Sequence, residues 1–185
     1  VHYTKSTGNW NIKNNSFSGQ PVSLTFVDQR SNTWWACLDH GHWGCKLHKS
    51  QDEGKTWLEV ESPKYPDGEE VKDNVPASLR YLWAMNHAGD DKPDGLWLGT
   101  EPGGLFESTD SGQSFTLNRG LWDQPTRKEQ WFGGGRDYAG IHSIVVDPRD
   151  SNHIFVGVSV AGVFETVDGG ETWVPRNKGL TADFL

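Results

Sequence analysis

The chain has 185 residues, room for one domain of ordinary size, with ten Trp and 22 Gly against a single Met. A formal net charge of −8 repels phosphate backbones and excludes nucleic acid as an expected partner. Mean hydropathy is −0.68, and no apolar run approaches the roughly 20 residues of a membrane span, so the expectation is a soluble chain without a membrane partner, cytoplasmic or secreted.

In chain order, short strands are predicted at Pro21–Val27, Thr33–Leu38, Cys45–Lys49 and Thr56–Val60. A second set falls at Ser78–Ala84, Leu96–Thr100, Leu105–Glu107 and Ser114–Leu117, and a third at Ile141–Asp147, Ile154–Val158, Val163–Glu165 and Thr172–Pro175. No segment carries a 3.6-residue apolar period of helical length. Two long connections, Glu61–Ala77 and Asn118–Gly140, stand out, and such loops are usually functional or disordered. Cys37 and Cys45 are too few for a disulfide framework. Two buried thiols and one bond across a hairpin are both open, as is the compartment.

An internal repeat ties these strands together. Ser50-Gln51-Asp52-Glu53-Gly54-Lys55-Thr56-Trp57, Ser108-Thr109-Asp110-Ser111-Gly112-Gln113-Ser114-Phe115 and Thr166-Val167-Asp168-Gly169-Gly170-Glu171-Thr172-Trp173 align without gaps, 58 residues apart each time. The pattern is Ser/Thr-x-Asp-x-Gly-x-Ser/Thr-aromatic. Each residue type suits a tight turn: the Asp carboxylate accepts from backbone N–H groups of its own turn, and the Gly takes positive φ without a Cβ clash. The hydroxyl ties the turn ends, and the aromatic opens the next strand and buries its ring. Asp52, Gly54, Trp57, Asp110, Gly112, Phe115, Asp168, Gly170 and Trp173 are therefore read as structural. Four short antiparallel strands per period match a blade of a β-propeller. The expected blades are about 21–61, 77–117 and 141–176, with 1–20 and 177–185 belonging to neighbouring blades.

The eight-residue turn resembles the Asp-box, or bacterial neuraminidase repeat. The strings His40-Gly41-His42-Trp43-Gly44, Gly99-Thr100-Glu101-Pro102-Gly103-Gly104-Leu105-Phe106, Asn118-Arg119-Gly120-Leu121-Trp122, Gln130-Trp131-Phe132-Gly133-Gly134-Gly135, Gly140-Ile141-His142-Ser143 and Pro175-Arg176-Asn177-Lys178-Gly179-Leu180 are similar to bacterial BNR-like repeat proteins. Those proteins carry glycosyl hydrolase or exo-sialidase labels and are related to photosystem II assembly-factor-like propellers. The resemblance implies an all-β propeller of seven blades, of which this chain would supply about three and part of another. A fragment, or two copies completing one ring, are the two expectations.

In such a blade the loops joining strands two and three, and those joining blades, gather on one rim. That rim is expected to carry His40, His42, Trp43 and Glu101, with Trp131, Arg136, Asp137 and Tyr138 from the second long connection and His142 near the channel mouth. Glu101 and Asp137 are the candidate pair of carboxylates for glycoside cleavage. Trp43, Trp131, Arg136 and Tyr138 are candidate ligand-binding residues, with Trp122 and Phe132 as further aromatics able to stack on a sugar or fill a core. His40, His42 and His142 beside Glu101 form a candidate site for a divalent transition metal, no other cofactor being expected. The Gly133-Gly134-Gly135 run lacks the Lys and helix of a phosphate loop and reads as backbone passing close to another element. The leading functional reading is a non-catalytic binding or scaffold propeller with a carbohydrate or protein ligand. The alternatives are a sialidase-like glycoside hydrolase and a metal-dependent enzyme. A sialidase needs three arginines on its ligand, and only Arg136 is expected at the rim.

Overall fold

The computed structural model describes residues 1–180, so the expectation for 177–185 lies outside the described residues from 181 onward. Strands β1 (His2–Ser6) and β2 (Asn9–Asn14) form an antiparallel hairpin. Three four-stranded antiparallel sheets follow, each built in chain order. The first holds β3 (Val22–Asp28), β4 (Thr33–His40), β5 (Gly44–Ser50) and β6 (Leu58–Val60). A small hairpin of β7 (Glu70–Lys72) and β8 (Val75–Pro76) precedes the second, which holds β9 (Tyr81–His87), β10 (Leu96–Glu101), β11 (Leu105–Ser108) and β12 (Thr116–Leu117). Single-turn helices α1 (Arg119–Trp122) and α2 (Arg127–Gln130) lead to the third, β13 (Ile141–Asp147), β14 (Asp150–Val158), β15 (Gly162–Thr166) and β16 (Val174–Pro175). The first strands β3, β9 and β13 lie side by side, so the sheets stack face against face as in a β-propeller. No described helix is long and apolar enough to cross a membrane.

The three repeat turns share one hydrogen-bond scheme. Gly54, Gly112 and Gly170 N–H groups donate to the hydroxyls of Ser50, Ser108 and Thr166 at 2.9, 2.9 and 3.0 Å. Those hydroxyls donate in turn to Asp52, Asp110 and Asp168. Each Asp also accepts the backbone N–H and the hydroxyl of Thr56, Ser114 or Thr172. The turn glycines have φ of 77°, 72° and 98°. This locking explains why the fourth strands begin later than predicted: residues 56, 114 and 172 are committed to the turn, and pairing starts only at Leu58, Thr116 and Val174.

Two apolar cores lie between the sheets. Trp35, Cys37, Leu47, Leu82, Leu96, Leu98, Phe106 and Trp122 fill the space between the first and second. Trp97, Leu105, Leu121, Ile141, Ile154, Phe164 and Trp173 fill the space between the second and third. The second and third repeat turns seat on the preceding sheet, Gly112 against the Trp35 ring and Gly170 against Trp97. Asn118 fixes the second seat by donating to the Gly170 carbonyl at 2.9 Å and accepting from Trp173 Nε1 at 3.0 Å. Arg30 staples the first two sheets. Braced by Asp28, it donates to the carbonyls of Gly89, Lys92 and Gly95 in the turn between β9 and β10.

Several elements differ from expectation. β9 starts three residues later than expected, at Tyr81, where register pairing with Glu101 of β10 begins. The β7–β8 hairpin, β1, β2 and the two helical turns were not anticipated. Cys37 and Cys45 are free thiols: Cys37 stands opposite Leu47 and Cys45 opposite Asp39, so the register separates them. Burial pushes their pKa values up, to about 12 and about 11.

Candidate functional site

At one end of the second sheet, the start of β9, the end of β10 and the loop from 131 to 140 converge. Glu101 closes β10, is joined to Pro102 by a cis peptide bond, and is 2 % exposed. One carboxylate oxygen pairs with Arg136 Nε, and the other accepts the Tyr138 N–H at 3.3 Å. Arg136 comes from the irregular loop, and its side chain remains 39 % exposed. Its guanidinium lies 4.2 Å from the Tyr81 ring centroid and 5.5 Å from that of Trp83. The hydrogen bond to Glu101 raises the Arg136 pKa against the opposing effect of burial.

The glycine run shapes this loop. A Cβ on Gly133 would lie 1.9 Å from the Arg136 carbonyl oxygen, so only glycine lets the chain fold back and deliver Arg136 to Glu101. Tyr81 and Trp83 alternate with buried Leu82 and Ala84 along β9, which places both rings on one side, 5.7 Å apart and nearly perpendicular. His142, at the start of β13, approaches Trp83 at 6.2 Å. Neither Tyr81 nor Trp83 figures among the residues expected from sequence. Their two-residue spacing inside a predicted first strand was the available signal.

The remaining candidates fall as follows. Trp43 is 68 % exposed at the turn between β4 and β5, edge-on to His42 at 4.6 Å. Trp131 packs on Phe164 at 5.1 Å and, with exposed Phe132, borders a groove of about 610 Å³. Trp122 is buried under the Arg127 guanidinium, 3.6 Å from its ring centroid, and is core rather than surface. Tyr138 meets Glu101 through its backbone. Asp137 is exposed.

The three candidate metal-binding histidines lie apart from one another. Among the described residues, no three His, Cys, Asp or Glu side chains come together to hold an ion. His40 Nδ1 accepts the Trp43 N–H of its own turn, His42 packs on Trp43, and His142 sits by Ser143 Oγ and Trp83, so the three imidazoles serve separate local contacts. Five of the other arginines are engaged elsewhere. Arg30 staples two sheets, Arg119 pairs with Glu69, Arg127 is bound to backbone carbonyls, and Arg149 and Arg176 pair with Asp147 and Glu165.

No protein-family model matches the chain. It is 32 % identical over 125 residues to an oligoxyloglucan-reducing end-specific xyloglucanase of Emericella nidulans, covering 67 % of this chain and 13 % of that protein. A probable enzyme of the same description from Neosartorya fischeri is 29 % identical over 125 residues, with the same coverage. The chain thus spans 13 % of the length of the curated relatives it matches. Among solved structures, the GH74 enzyme of Niastella koreensis aligns with a TM-score of 0.54 at 18 % identity, over 84 % of this chain and 22 % of that one. The GH74 xyloglucanase of Xanthomonas campestris aligns with a TM-score of 0.53 at 15 % identity, over 90 % and 24 %. These structural likenesses show the propeller fold, and the sequence likeness is to propeller glycoside hydrolases.

Proposed function

We propose that this chain is an Asp-box β-propeller segment that binds carbohydrate on the rim around Arg136, without cleaving it. On this reading the three sheets are consecutive blades, about 21–61, 77–117 and 141–176, and residues 1–20 contribute to a neighbouring one. Trp43, Trp131, Arg136 and Tyr138 belong to the binding rim. The observation that carries the non-catalytic part is the state of Glu101. Cleavage of a glycosidic bond needs two carboxylates flanking it. Glu101 is buried with one oxygen on Arg136 and the other on the Tyr138 amide, so it offers no free face to a glycosidic oxygen. The likeness to xyloglucanases points to β-glucan-type oligosaccharides as first ligands to try.

A second reading, hydrolysis, is favoured by the same 32 % identity and would use Glu101 and Asp137. Incubation with xyloglucan oligosaccharides, followed by calorimetric titration and chromatography of the products, separates the two. Binding with no new reducing ends is expected. Product release that disappears in Asp137→Asn would replace the binding reading with the hydrolytic one.

A further inference from the structure

Arg136 is held at one end of its guanidinium and open at the other. Its Nε is bound to Glu101, while Nη1 and Nη2 meet no protein acceptor among the described residues. Holding a long side chain in one place costs rotamer entropy. Here a buried carboxylate, an aromatic ring and a glycine fold-back all act to hold it. The result is a fixed planar donor edge, half exposed, beside two partly exposed aromatic rings.

Resting on the carbohydrate reading above, we propose that Arg136 reads the hydroxyl pair of an uncharged sugar ring, with Trp83 as the apolar wall, Tyr81 as the ring that holds the guanidinium and Glu101 as the group that aims and neutralises it. Two neighbouring hydroxyls match the paired N–H groups of a guanidinium by geometry and do not require net charge. The C–H face of a pyranose suits an aromatic wall. An acidic sugar is the poorer ligand. The Glu101 carboxylate cancels the Arg136 charge at contact, Asp39 acts on the same cation, exposed Asp137 follows it in the chain, and the whole chain carries −8. A uronate or sialate carboxylate therefore approaches a site with no positive surplus.

Calorimetric titration of the intact chain with cellohexaose, xyloglucan heptasaccharide, hexagalacturonate and sialyllactose tests this. A neutral oligosaccharide should bind, and the acidic ones should bind at least about tenfold more weakly. Arg136→Gln and Trp83→Ala should each lose about tenfold or more, with circular dichroism checking the fold. Should Trp83→Ala unfold, Glu101→Gln decides: it keeps the shape of the side chain while unmasking the guanidinium. The hexagalacturonate-to-cellohexaose affinity ratio should then rise roughly tenfold, an effect that a purely structural role for Glu101 does not produce. Glycan binding indifferent to Arg136→Gln, or an acidic preference in the unaltered chain, overturns the inference while leaving carbohydrate binding intact. No binding of any oligosaccharide overturns both.

Discussion

Gly112 shows how much of this fold depends on single atoms. Its φ of 72° is left-handed, and a Cβ there would lie 2.3 Å from Trp35 Cη2. Gly112→Ala should therefore cost about 1–3 kcal/mol from overpacking, in addition to the backbone strain. Gly8 is the comparison, with φ 86° and open space where a Cβ would go. Gly8→Ala should cost only the strain, about 1 kcal/mol. Denaturant melts of the two variants check the difference, and equal losses would remove the Trp35 contact as the cause. Trp35 and Trp97 each carry the seat of the next turn, so their rings are constrained on the side of the neighbouring sheet as well as by their own strand.

At the scale of the element, the repeat turns make the chain sensitive to acid. Hydrogen bonds from Thr56, from Ser114 and from Thr166 with Thr172 pull Asp52, Asp110 and Asp168 down to about 2. A carboxylate whose folded value lies below its unfolded value near 3.9 stabilises the fold at neutral pH, and that stabilisation is lost as pH falls from about 4 to about 2. Denaturant midpoints should drop across that window, and Asp110→Asn should flatten the slope. A midpoint constant down to about pH 2 would rule out this account. The turns were readable from sequence because every participant lies within eight residues, so the spacing of Ser50, Asp52, Gly54 and Thr56 already encodes the bonding. The fourth strands were read too long for the same reason, since the Thr56 amide belongs to Asp52. The rim was less legible. Arg136 and Glu101 could be assigned to one loop cluster, but their pairing is a contact across 35 residues that depends on the fold-back at Gly133. His40, His42 and His142 were grouped by loop type alone, which carries no distance between imidazoles, and among the described residues no three potential ligands come together.

Across the whole molecule, cohesion is carried by two separate interfaces rather than one core. Chains built this way gain stability from nearest-neighbour contacts. Arg30 is the test of the first interface, because its guanidinium reaches three carbonyls of the second sheet while Asp28 beneath it is buried. Burial would raise the Asp28 pKa, yet the Arg30 bonds hold it below the usual value. Arg30→Met leaves that carboxylate uncompensated and should cost about 3 kcal/mol or more. Unfolding followed by hydrogen exchange should show the first sheet opening ahead of the other two. A single cooperative loss across all three sheets would show that the staple does not set the order.

Because each four-stranded sheet is laid down in chain order, with every partner strand supplied by the adjacent stretch of sequence, closing a sheet needs nothing synthesised later. A nascent chain can thus finish one sheet while the next is still in the ribosome, each completed surface serving as template for the one that follows. Translation would then run in step with assembly, and a pause in the connection 61–77 or 118–140 would fall between finished units instead of inside one.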